Sequence, residues 1–180
     1  MKLLHFPLLL LLTFSCFAQD KKALEERAMK WYTYYASEKY DSLVNYIHPG
    51  VFKYESQKDY IKSLRNTTSE KVSISPVHTP PNFYFGEIKK VGENYYCILY
   101  HDQTMKAKFY DEISKQSSDF LIEYVKKRFQ ADKVIFNERM NAIFLLTRMR
   151  AIAIADKTND FAWTFEPIIN VRAIREQLGL

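Results

Sequence analysis

Between Ala23 and Tyr40 the apolar positions Leu24, Ala28, Trp31 and Tyr35 recur at intervals of four, three and four, while Glu25, Glu26, Lys30 and Glu38 lie off that stripe. Residues three and four apart share one side of a helix, so this spacing predicts a helix with one buried side. Asp41 stands where it can cap a short second helix whose Leu43, Val44 and Ile47 turn inward, until His48-Pro49-Gly50 stops it. Ser56 and Asp59 make a capping-box-like start to a third helix that carries Tyr60, Ile61 and Leu64.

After Asn66 the pattern changes. β-Branched and aromatic residues replace Leu and Ala between turn signals, and "VSISPV", "NFYFGEIKK", "YYCILYH" and "MKAKFY" read as strands, with "VGEN" as a turn. "SSDFLIEYVKKRF" interrupts them as a helix capped by Ser117 or Ser118, with Leu121, Val125 and Phe129 on one side. Strand character returns at "VIF" and runs through "AIFLLTRMRAIAIAD". "DKTND" turns that strand into "FAWTFEPI", and "VRAIREQLGL" reads as a last short helix. Helices followed by a mainly antiparallel sheet define the α+β class. A strand of about fifteen residues would reach roughly 50 Å if flat, so a bulge or sharp curve is expected near Thr147 to Arg150, letting the sheet wrap around the first helix.

The first eighteen residues stand apart. Met1-Lys2, an apolar run and "CFAQD" have the layout of an export signal cleaved after Ala18. The apolar run is shorter than the roughly 20 residues a membrane span requires. Lipidation of Cys16 is the weaker alternative, because Thr13 stands where an aliphatic residue is wanted. Residues 19–180 then form one domain, periplasmic or secreted.

Removing that segment costs one charge, Lys2, from a formal +5, and leaves Cys97 as the single remaining cysteine. An internal disulfide is therefore excluded, and packing by 13 Tyr and by the ten Phe that remain of 13 once Phe6, Phe14 and Phe17 are removed must supply the stability. The mild positive charge supports no nucleic-acid partner: Lys126, Lys127 and Arg128 cluster on one helix, which a solvated face explains. Gly-rich phosphate loops, nucleophile elbows and metal-ligand spacings do not occur, so no cofactor and no metal is expected.

The order of elements, and in particular "KWYTYYASEKYDSLVNYIHPGVF", "YESQKDYIKSL" and "RAIAIADKTNDFAWTFEPI", resembles the nuclear transport factor 2-like superfamily, which also holds ketosteroid isomerase-like and SnoaL-like proteins. The resemblance implies a cone-like curved sheet wrapped around the N-terminal helices, with the later helix inserted between strands, and a homodimer through the outer sheet face. It names no activity, because such folds serve enzymes and binding modules alike. The isomerase-like members use a pocket carboxylate as base. Here His48 stands near the expected place of that acid.

Candidate chemistry is sparse. In an alternating strand Arg148 and Arg150 share a face and could clamp a carboxylate or phosphate, or pair with Glu166, Glu138 or Glu87 on neighbouring strands. His101 and Asp102 are adjacent and point to opposite faces, so each alone, with His48, is a candidate base. Cys97 is expected to pack as a small apolar residue. Trp31 and Tyr35 belong to the core stripe and leave Tyr32 and Tyr34 to look elsewhere, although the hydroxyls of Tyr32 and Tyr35 could reach a pocket. The expectation is an exported, non-catalytic domain that binds a small molecule or an envelope protein through Tyr32, Tyr35, Arg148 and Arg150. A cofactor-free lyase or isomerase using His48, His101 or Asp102 is the alternative.

Overall fold

The computed structural model describes residues 6–65 and 67–167, with side chains from residue 21 to residue 166 apart from residue 66. The expected helix over "VRAIREQLGL" lies outside the described residues. Helix α1 spans Phe6–Ala36, α2 Tyr40–Leu43, α3 Gln57–Arg65 and α4 Lys115–Phe129. The strands are β1 Val72–Val77, β2 Phe83–Phe85, β3 Lys89–Val91, β4 Asn94–Phe109, β5 Lys133–Asn137, β6 Ala142–Ala155 and β7 Thr164–Pro167. The α+β class is observed.

Two long strands organise the sheet. β4 and β6 pair antiparallel without interruption from Tyr95↔Ala155 to Lys108↔Ala142. The outer edge of β4 takes β1, β2 and β3 in turn, and the outer edge of β6 takes β5 and β7, all antiparallel in an open order. The unbroken register corrects the bulge expected at Thr147 to Arg150. An extra residue is instead accommodated on the edge, where Gly86, Glu87 and Ile88 oppose only Ile98 and Cys97 and split "NFYFGEIKK" into β2 and β3. Gly86 suits that place because a Cβ would lie 3.0 Å from the Ile98 carbonyl oxygen. "YYCILYH" and "MKAKFY", which read as separate strands, run together as β4.

Alternation along the strands separates the two faces of the sheet. Cys97 and Leu99 of β4 with Ala151, Ala153 and Ala155 of β6 join one buried cluster with Leu24, Ala28, Trp31 and Tyr32 of α1 and Phe165 of β7. The alanines leave room for the helix, and the large side chains come from the helix side. Ile152 and Ile154 pack on the opposite face with Tyr96 and Ile98. Tyr32 is 2% exposed, which corrects the expectation that it lies off the core stripe.

Several caps differ from those expected. Lys39, not Asp41, precedes α2, and Asp41 pairs instead with Arg65 at 2.7 Å. Ser114 caps α4 by accepting from the Ser117 amide at 3.2 Å, in place of Ser117 or Ser118. Ser56 does cap α3, accepting from the Asp59 amide at 3.1 Å while its hydroxyl donates to the Asp59 carboxylate. At the far end of α4, Phe129 is exposed, and the partly buried positions are Leu121, Ile122 and Val125.

Candidate functional site

The helix-facing row of β4 changes character along its length. Cys97 and Leu99 are apolar and dry, His101 and Gln103 follow on the same face, and Met105 continues the row. His101 is enclosed by rings: Trp31 lies edge-on at 5.3 Å, Tyr32 edge-on at 5.3 Å and Phe83 tilted at 5.7 Å. Trp31 in turn stacks on Phe165 at 5.1 Å. Burial holds the His101 imidazole below its ordinary pKa, because an imidazolium there would lose its hydration. Its Nδ1 lies 3.4 Å from the Asp102 carbonyl, which favours the tautomer that donates from Nδ1.

Beside this ring sits an unmet hydrogen-bonding group. The Tyr32 hydroxyl is buried and has no partner among the described residues. A buried hydroxyl without a partner costs about 1–3 kcal/mol, so it marks a place where the folded chain alone leaves a demand open. Further along, Gln103 Nε2 donates to the Tyr35 hydroxyl at 2.9 Å and also lies 2.8 Å from Met105 Sδ. Burial raises the Tyr35 pKa, with the Gln103 contact opposing, so the phenol stays protonated. Met149, directly across from His101 in the register, is 37% exposed. His101 and Gln103 themselves are only 3% and 7% exposed, so the polar part of the row is buried.

His48 has another task. Its Nδ1 accepts from the Gly50 amide at 3.1 Å, which leaves Nε2 to donate to the Asp156 carboxylate at 3.2 Å. The Thr158 hydroxyl donates to the other Asp156 oxygen at 2.6 Å. Burial pushes the Asp156 carboxyl up, but the bonds from Thr158 and His48 outweigh it and the net shift is downward. With both ring nitrogens engaged, His48 ties the turn after α2 to the β6–β7 connection. The adjacent Ile47↔Phe165 bridge belongs to the same junction.

Arg148 and Arg150 lie on the face of the sheet away from α1, opposite Asp102 and Tyr100. Arg148 Nε meets Asp102 Oδ1 at 3.3 Å, so its partner is Asp102 and not Glu166, Glu138 or Glu87. The structure thus groups Tyr32, Tyr35 and His101 on one face, Asp102, Arg148 and Arg150 on the other, and His48 at the end of the β6–β7 hairpin. The expected opposition of His101 and Asp102 is observed. Cys97 is buried as expected, and burial pushes its thiol up to about 11, far from a thiolate nucleophile.

Two surface clefts lie elsewhere. One, of about 300 Å³, involves Tyr110, Glu112, Phe136 and Glu138. The other, of about 290 Å³, is lined by Arg27, Phe52, Gln57 and Asn159 among others. Arg27 donates to the Trp163 carbonyl and covers the Tyr46 ring at 4.7 Å, so its charge is already occupied. Among the described residues no group of three or more His, Cys, Asp or Glu could hold a metal ion. No described helix is long and apolar enough to cross a membrane.

Gln103 and Phe83 are the site residues that reasoning from the sequence missed. Gln103 shares strand parity with His101, and that signal was available. The enclosure of His101 by Phe83 depends on the pairing Phe83↔His101, which no local pattern displays. No family model and no curated protein matches the chain.

Proposed function

We propose that the chain is an exported, non-catalytic binding domain of the nuclear transport factor 2-like type, with its sheet curving around α1 and a small molecule held on the α1-facing side. The observation that carries the reading is the buried, unpartnered Tyr32 hydroxyl. A ligand with an apolar or aromatic body and one hydrogen-bonding group would fit: the body meets Trp31, Phe83 and His101, and its polar atom satisfies Tyr32. Polar groups that a ligand completes are what fix its orientation in an otherwise apolar site. Export after Ala18 belongs to the same reading, as the compartment in which such a ligand is met.

Binding is favoured over turnover because the candidate bases do not converge. His48 is committed at both nitrogens, and Asp102 lies across the sheet from His101 and beside Arg148. One observation favours the alternative, a cofactor-free lyase or isomerase: burial keeps the His101 imidazole neutral beside the Tyr32 ring, so it would serve as the base for a group bound between the two.

The test is thermal unfolding of wild type and Tyr32→Phe against a library of small apolar molecules bearing a single carbonyl or hydroxyl. A hit should stabilise wild type and lose most of that effect in the variant. Hits that stabilise both proteins equally, or no hits at all, would remove the support for this site. Turnover of a hit, abolished by His101→Phe, would move the assignment to the enzymatic alternative.

A further inference from the structure

The outward side of α4 presents large apolar groups with no described residue covering them. Phe120 is 71% exposed and Tyr124 54% exposed, and their rings stack 6.4 Å apart at 16°. The fold does not need them, because Ser118, Leu121, Ile122 and Val125 already form the sheltered side of this helix against β5 and β6. Charge is ordered along the exposed side as well. After Lys115, Asp119 and Glu123 occupy its middle, and Lys126 and Lys127 its last turn. None of these four makes an ion pair within the chain among the described residues, although Lys21 with Glu25 and Lys22 with Glu26 do so on α1 at the same four-residue spacing.

We propose that α4 is a self-association surface that packs antiparallel against α4 of a second copy, about a two-fold axis passing near Glu123 and Tyr124. A two-fold contact is made by one patch meeting itself, so the patch must be self-complementary. Reversal of the helix direction sets the acidic part of each copy against the basic part of the other. Glu123 then meets Lys127 of the second copy, and Asp119 meets its Lys126. The same reversal places Lys127 of the second copy over the Phe120 ring, where a cation is attracted to the aromatic face. An anionic membrane fits less well, since Glu123 stands between the two aromatic residues. One helix face covers less than the about 800 Å² per partner of a standard interface, so the dimer is a weak one. The surface is remote from Tyr32, and the inference stands independently of the proposed ligand.

Sedimentation velocity tests it on the protein as its producing cell processes it. Wild type should pass from monomer to dimer with a midpoint of roughly tens of micromolar. Glu123→Lys and Lys127→Glu should each raise that midpoint about tenfold or more, since each sets like charges together. The double variant Glu123→Lys/Lys127→Glu restores opposite charges and should return to within about threefold of wild type. Phe120→Ser/Tyr124→Ser should be monomeric and, changing only exposed positions, should keep the far-UV circular dichroism of wild type. The inference is overturned by a wild type that stays monomeric at about ten times that midpoint. A dimer indifferent to these variants, or a double charge variant that does not reassociate, overturns it equally.

Discussion

Tyr32 of α1 and Asp156 at the end of β6 show how single groups set the balance between stability and function. Tyr32 is buried with its hydroxyl unmatched, so Tyr32→Phe should raise the stability of the ligand-free protein by about 1 kcal/mol in urea unfolding while removing the binding contact. A destabilised Tyr32→Phe would mean that the hydroxyl is already satisfied. Asp156 is the reverse case, since three of its bonds hold the β6–β7 turn and His48 together. Asp156→Ala should cost about 2 kcal/mol at neutral pH. The folded-state pKa of Asp156 lies below its ordinary value, so its contribution is present above the ordinary value and is lost as pH falls through the folded one. The gap between wild type and Asp156→Ala should therefore narrow below about pH 4, and a gap that widens on acidification would contradict the assignment. The parity of His101 and Asp102 was legible in the sequence, because adjacent strand residues face opposite ways. The His48–Asp156 contact was not: 108 positions separate the pair, and neither residue is unusual in its local setting.

Elements were legible where one side is dry and the other wet. The stripe of α1 and the Ser56 cap of α3 follow directly from spacing. Cap choices and strand boundaries were harder, because several serines compete at α4 and because apolar periodicity is blind to a neighbouring edge. Gly86 illustrates the second difficulty: a single glycine in an apolar run predicts little, yet β2, its bulge and β3 all depend on the close approach to the Ile98 carbonyl. Gly86→Ala should destabilise by about 1–2 kcal/mol, because the added methyl can be admitted only by moving backbone. Hydrogen exchange should show the loss along Lys89 to Val91, and unchanged protection there would place the bulge elsewhere. β6 gave the opposite lesson. Its length suggested a break, but its pairing with β4 continues through Arg148 and Arg150, which become the wet part of the far face.

Across the whole molecule, one aromatic layer joins the first helix to the last described strand. Trp31 touches both His101 and Phe165, so it connects α1 with β4 and β7 at once. Trp31→Ala should cost about 3–5 kcal/mol, measurable as a lowered urea midpoint, and a loss below 1 kcal/mol would mean that α1 is not part of this core. The α+β class followed from the order of patterns along the chain. The site did not, because it is assembled from α1, β2 and β4 through contacts that no single segment encodes. The decisive measurement is mass spectrometry of small molecules released from the protein purified from its native host, with wild type and Tyr32→Phe compared side by side. An organic molecule bound near one per chain in wild type and absent from Tyr32→Phe is the expected result. A wild type that carries nothing, or the same molecule retained by both proteins, would contradict a binding role centred on Tyr32.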